Sequence, residues 1–154
     1  MKKPKFNQNY KGLRFRVCLV REGKPAEPIR IENADDVYDL VKDELINSDR
    51  ERLLSVMLTA SNHLIGVETV SIGNLYSTDM SPREAFKSAI LSNSASIVLC
   101  HNHPSGDLNP SKEDIRMTKI FIEAGELLKI NVFDHLIVSA DGYISLRDHC
   151  KFPN

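Results

Sequence analysis

The sequence has few cysteines, no long apolar run and almost no net charge. Its three cysteines, Cys18, Cys100 and Cys150, are odd in number and widely spaced in 154 residues. That excludes a disulfide framework and a cysteine-rich zinc module. Cys18 and Cys100 lie in or beside strand-like runs and read as free, buried thiols; Cys150, in the polar tail DHCKFPN, reads as exposed. No stretch approaches the roughly 20 apolar residues that span a bilayer. The basic N-terminus MKKPKFNQNYKGLRFR has no apolar run behind its charges, so it does not read as a signal peptide, and cytoplasm is the expected compartment. With 20 basic against 21 acidic residues, a net charge of -1 gives no global field to draw in nucleic acid. There is no repeat and no linker. What remains is an ordinary soluble composition, 42% apolar and 27% charged, long enough for one domain with a real core.

Local patterns predict the elements. Residues 14–20, RFRVCLV, read as a strand, and IRI at 29–31 as a short one. Asn33 caps a predicted helix over 34–46, with Asp35 and Asp36 in its first turn and Val37, Leu40, Val41 and Leu45 on its apolar face. Segments 52–59 and 63–72 form a hairpin around a polar turn. Ser81 as cap, Pro82 and a capping box completed by Glu84 open a helix to about Ser92. Residues 95–100, ASIVLC, make a central strand, after which HNHPSGDLNP breaks regular structure with two prolines and a glycine. Ser111 opens the next helix, to about Leu128, offering Ile115, Phe121, Ile122, Ala124 and Leu128 to the core. Strands 132–138 and 143–146 follow, joined by Ala140-Asp141-Gly142. The order predicts an α/β fold, a mixed sheet flanked by helices.

The chemistry concentrates in HNHPSGDLNPSKED. His101 and His103 are two apart beyond a buried strand, so in extended backbone both imidazoles point one way while Cys100 and Asn102 point away. Ser111 as cap places Asp114 in the first helical turn, able to present an oxygen near the loop. Two neutral imidazoles and a carboxylate make a divalent-metal site, zinc before others, with a fourth position left for water. S-x-x-D is equally a plain helix cap, and two histidines in a turn can be polar surface. Asp107 is the rival acidic ligand, although its turn explains it. His63 and His149 read as exposed. His135 opens the strand HLIVS, as either a core-edge histidine or a neighbour of the site. A hydrolase also needs a proton acceptor. Glu68, interrupting the strand LIGVETVSI, is the candidate, against a simple outward-facing glutamate. Ser111 could donate a hydrogen bond to a developing oxyanion if its hydroxyl is not taken up in capping.

H-x-H, seven residues, then S-x-x-D resembles the JAMM signature of the MPN/JAB metalloprotease superfamily. The longer wording VSIGNL…SPREAFKSAI…ASIVLCHNHPSGDLNPSKEDI…GELLKINVFDHLIVS resembles the RadC family over residues 50–146. The resemblance implies a curved sheet with flanking helices in a cytidine-deaminase-like arrangement and a RadC-like JAB/MPN domain over 50–148; residues 1–49 themselves read as a strand-helix extension packed on it. It implies zinc held by His101, His103 and Asp114, the superfamily glutamate at Glu68, and a structural or site-edge role for His135 within D-H-L-I-V. The family's usual G-T-L is here Gly73-Asn74-Leu75. Residues 1–50 show no pattern like the helix-hairpin-helix region of longer RadC relatives, so the family's DNA-repair label is a poor guide.

The implied activity is zinc-dependent hydrolysis of a peptide or isopeptide bond in a peptide or protein substrate. The competing expectation is a DNA- or protein-binding module whose metal is structural or vestigial. Lys2, Lys3, Lys5, Lys11, Arg14 and Arg16 would then contact phosphate weakly. A solubilising basic tail explains them as well, since no aromatic platform accompanies them. Cytidine deamination is excluded, because no P-C-x-x-C accompanies a histidine.

Overall fold

Helix α1, Ala34–Ile46, begins at a reciprocal cap. Asn33 Oδ1 accepts from the Asp36 amide at 3.1 Å, and Asp36 Oδ2 accepts from the Asn33 amide at 3.2 Å. Donors left open at the helix start are thereby satisfied. Val37, Val41 and Leu45 form the buried stripe, as the spacing predicts. The computed structural model describes residues 19, 20, 22, 27–73, 81–150 and 152. The predicted strand 14–20 therefore falls mainly outside the described residues, and so do Cys18, the basic residues Lys2 to Arg16, Asn74 and Leu75. Leu19 and Val20 are exposed and in no strand.

Among the described residues five strands form one mixed sheet in the order β2-β1-β3-β4-β5. They are β1 Arg52–Leu58, β2 Leu64–Ile72, β3 Ser96–Asn102, β4 Asn131–Ser139 and β5 Gly142–Ser145. β3 and β4 are parallel; every other pairing is antiparallel. Two further helices, α2 Pro82–Leu91 and α3 Lys112–Leu128, complete the predicted α/β architecture. The IRI segment contributes a single bridge, Arg30 to His63. Among the described residues no helix is long and apolar enough to cross a membrane.

Strand alternation divides the core into two layers. Leu54, Val56, Leu58, Val98, Cys100, Leu136 and Val138 face α1. Leu53, Met57, Ile97 and Leu99 face the other way, beneath Phe86 of α2 and Met117, Phe121 and Ile122 of α3. The parallel step from β3 to β4 runs through α3, which lays the N-terminus of α3 over the carboxyl end of β3. That crossing places the site.

Four expectations need correction. β3 does not stop at Cys100: His101 and Asn102 stay in the ladder because β4 pairs with both and β1 pairs with His101, and irregular backbone starts at His103. Ser81 caps α2 by accepting from the Arg83 amide, while Glu84 turns to Lys87 and Arg83 instead of closing a capping box. Leu128 is exposed at the end of α3, whose buried face uses Met117, Thr118 and Gly125. Cys150 is buried, packed under α3 with its thiol 3.8 Å from the Ile115 carbonyl. Cys100 is the free, buried thiol expected; His149 is exposed and His63 half-buried.

Gly125 is a close-approach glycine. A Cβ there would lie 2.5 Å from the Ile130 carbonyl oxygen, 3.2 Å from Val132 and 3.3 Å from Phe86. The first of these is backbone and cannot rotate away. Gly125→Ala is expected to destabilise by about 1–3 kcal/mol despite alanine's better helix propensity. Thermal denaturation should show the midpoint falling by roughly 2–4 °C for each kcal/mol in a chain of this size.

Candidate metal centre

His101 and Asp114 are buried and His103 lies at the rim, with 12% of its side chain accessible. His101 Nε2 stands 3.1 Å from His103 Nε2 and 3.4 Å from Asp114 Oδ1; His103 Nε2 is 3.4 Å from Asp114 Oδ2. Ligands about 2.0–2.1 Å from one tetrahedral ion sit about 3.3 Å from each other, so these three edges fit zinc-like coordination. This is the one group of its kind among the described residues.

Proton placement sharpens the fit. His103 Nδ1 lies 2.6 Å from the Asp107 carbonyl, which can only accept, so Nδ1 carries the hydrogen and Nε2 of the neutral ring is bare. Gly106, at φ 77°, turns the loop to bring that carbonyl back, and its amide donates to the His103 carbonyl at 2.9 Å. Asp107 thus serves His103 through its backbone, while its carboxylate accepts from Asn109 at 2.8 and 2.9 Å and stands outside the ligand group. His101 Nδ1 faces His135 Nε2 at 2.8 Å. A bare imidazole nitrogen, a neighbouring imidazole nitrogen and a carboxylate all aimed at one point call for a cation between them.

The charged and ionisable groups of the cluster act on one another. Burial opposes charge on Asp114, yet the His101 and His103 side chains beside it, with the Ser111 amide, hold its carboxyl far below the usual carboxylate range. His103 is raised, first by its hydrogen bond with Asp114, against burial, and further by the Asp107 carbonyl and the charges of Asp114 and Glu51. His135 is held well below its ordinary value by burial and by His101.

Capping and ligation prove compatible in one residue. Asp114 Oδ2 accepts from the Ser111 amide at 2.7 Å while both carboxylate oxygens face the histidines. Ser111 Oγ accepts from the Asp114 amide at 3.1 Å. The cap uses only the oxygen of that hydroxyl, so its hydrogen stays available beside the ligands.

Glu68 pairs across the ladder with Ser55, and Ser55 with Leu99, two residues before His101. Glu68 is therefore on the ligand face, two strands or about 10 Å to the side. Its Oε2 is buried without a hydrogen-bond partner among the described residues. Three further residues adjoin the ligand segments, and sequence reasoning missed two of them, Glu51 and Thr118. Glu51 lies just ahead of β1, two residues before Leu53, the partner of His101, and its charge contributes to raising His103. Asn102 does point away from the ligands, but its Oδ1 accepts from the Arg52 amide at 2.9 Å and its Nδ2 donates to the Arg50 carbonyl at 3.0 Å. Thr118 contacts His135 at 2.6 Å and was signalled only by its i,i+4 spacing from Asp114.

A family model described as the RadC-like JAB domain matches residues 31–151. Among curated proteins, the chain is similar to a UPF0758 protein of Desulforamulus reducens, 47% identical over 124 residues, 80% of this chain and 55% of that one. One from Methanosarcina mazei is 42% identical over 123 residues, 79% of this chain and 54% of that one. One from Desulfitobacterium hafniense is 44% identical over 118 residues, 77% of this chain and 52% of that one. The chain spans about half the length of the curated relatives it matches.

Proposed function

The chain belongs to the RadC-like JAB domain family, and on that footing we propose that it is a zinc-dependent hydrolase of peptide or isopeptide bonds. The observation that carries the reading is the triangle of ligand atoms, with edges of 3.1, 3.4 and 3.4 Å. Two imidazoles and a carboxylate suit zinc among the common divalent ions. Three protein ligands with one of them at the rim match the open pattern of catalytic zinc sites. Zinc held there would make water nucleophilic near neutral pH and polarise a carbonyl.

The chain's own groups supply the rest. Glu51, beside His103, takes the proton from the attacking water and returns it to the leaving amine. Glu68 is the second candidate, on the same face but farther across the sheet. The Ser111 hydroxyl, its oxygen held by the Asp114 amide, donates toward the oxygen of the scissile carbonyl as charge builds there. Asp114 would balance the charge of the ion, its own ionised form being favoured by the Ser111 amide and the adjacent histidine side chains.

The test compares chain reloaded with one equivalent of zinc and chain stripped by chelator. Each is offered fluorogenic peptides and isopeptide-linked protein conjugates. Turnover is expected only with zinc. A fully zinc-loaded chain that cuts no amide overturns the hydrolase reading and favours a binding module with a structural metal.

A further inference from the structure

Behind the ligands runs a buried chain of hydrogen bonds that no step above uses. Thr118 Oγ1 lies 2.6 Å from the Asp114 carbonyl and 2.6 Å from His135 Nδ1; His135 Nε2 lies 2.8 Å from His101 Nδ1. Thr118, His135 and His101 are 0%, 2% and 0% exposed, so no bulk water competes for these contacts.

Each link has one hydrogen, and the chain's start fixes its direction. The Asp114 carbonyl is an acceptor only, so the Thr118 hydroxyl donates to it. Its oxygen then accepts, and the hydrogen between Thr118 and His135 belongs to Nδ1 of His135. A neutral ring protonated at Nδ1 is bare at Nε2, which accepts from Nδ1–H of His101. His101 is left bare at Nε2, the atom facing His103 and Asp114. We propose that Thr118 and His135 are positioning residues that hold His101 in its metal-binding tautomer, with the Asp114 main-chain carbonyl as the fixed reference.

The arrangement is a ring. Asp114 offers its carboxylate to one side of the metal position and, through its carbonyl, Thr118 and His135, sets the imidazole on the other. Helix α3 supplies both ends, since Thr118 follows Asp114 by one turn. β4 supplies the middle, because His135 pairs with Leu99, two residues before His101 on the same face of β3. Outer partners of this kind orient a ligating histidine, and losing one typically weakens metal binding about 10–100-fold.

The inference rests on the metal reading, but its test separates the two. Long-range ¹H–¹⁵N correlation on the metal-free, histidine-labelled chain reads the tautomers directly. His101 and His135 are both expected protonated at Nδ1. Zinc affinity, measured by competition with a chromophoric chelator, is expected to fall about 10–100-fold in Thr118→Val and to be largely restored in Thr118→Ser. In Thr118→Val the His101 population should shift toward Nε2–H. His101 protonated at Nε2 in the wild-type chain, or a folded Thr118→Val with wild-type affinity and an unchanged tautomer, overturns the proposal. Should Thr118→Val not fold, the wild-type spectrum and Thr118→Ser still decide. A wild-type chain that takes up no zinc defeats the metal reading, while the metal-free spectrum still settles the relay.

Discussion

Asp114→Ala is expected to lose stoichiometric zinc, with affinity falling by more than the roughly 100-fold upper range for loss of an outer partner. Two of the three edges of the ligand triangle end on this carboxylate. Without it, two neutral imidazoles must hold a doubly charged ion alone. Elemental mass spectrometry on dialysed protein gives the answer, and about one zinc per chain in the variant would contradict it. The substitution also removes half of the α3 cap, which costs about 1 kcal/mol. Asp114→Asn separates the effects, since its carbonyl oxygen can still accept from the Ser111 amide while the charge is gone. It should start its helix normally and still bind zinc poorly. Added zinc should raise the thermal midpoint of the wild-type chain by mass action and leave that of Asp114→Ala nearly unchanged.

Glu51→Gln should keep its zinc and lose turnover by about 10²–10⁴-fold, the usual contribution of a positioned acid–base group. The amide matches the carboxylate in shape but cannot accept the proton. Glu51 is favoured over Glu68 by position: β1 is the immediate neighbour of β3, whereas β2 lies one strand beyond. Glu68→Gln is accordingly expected to leave turnover within several-fold. Steady-state rates on zinc-quantified samples of both variants decide between the carboxylates. The reverse ranking would return the role to Glu68.

What the sequence made legible was what depends on near neighbours in the chain. The Asn33 and Ser111 caps, Pro82 at a helix start and the period-two spacing of His101 and His103 are local signals. α1 matches its expected bounds, and the two histidines and Asp114 converge as expected. Glu51 and Thr118 were hidden because their significance depends on distant pairings. Glu51 matters once β1 is registered against β3, and Thr118 once the parallel β3–β4 step brings His135 behind His101. Glu68 drew attention because a charge inside an apolar strand stands out, whereas a charge just before a strand does not. Cys150 was misjudged for a related reason. Its polar neighbours suggested exposure, but the turn Leu146–Asp148 tucks it beneath α3.

The residue between the two histidines has a mechanical consequence. Asn102 grips the main chain on both sides of Glu51, at the Arg50 carbonyl and the Arg52 amide. On the proposed reading three consecutive residues act as a jig: the outer two would hold the metal and the middle one fixes the main chain on either side of the carboxylate. The metal ligands and the proposed proton acceptor, which lies just ahead of β1, come from separate segments of the chain, yet a single tripeptide ties them together. A change at Asn102 can therefore detune the distance between them while every metal ligand stays in place.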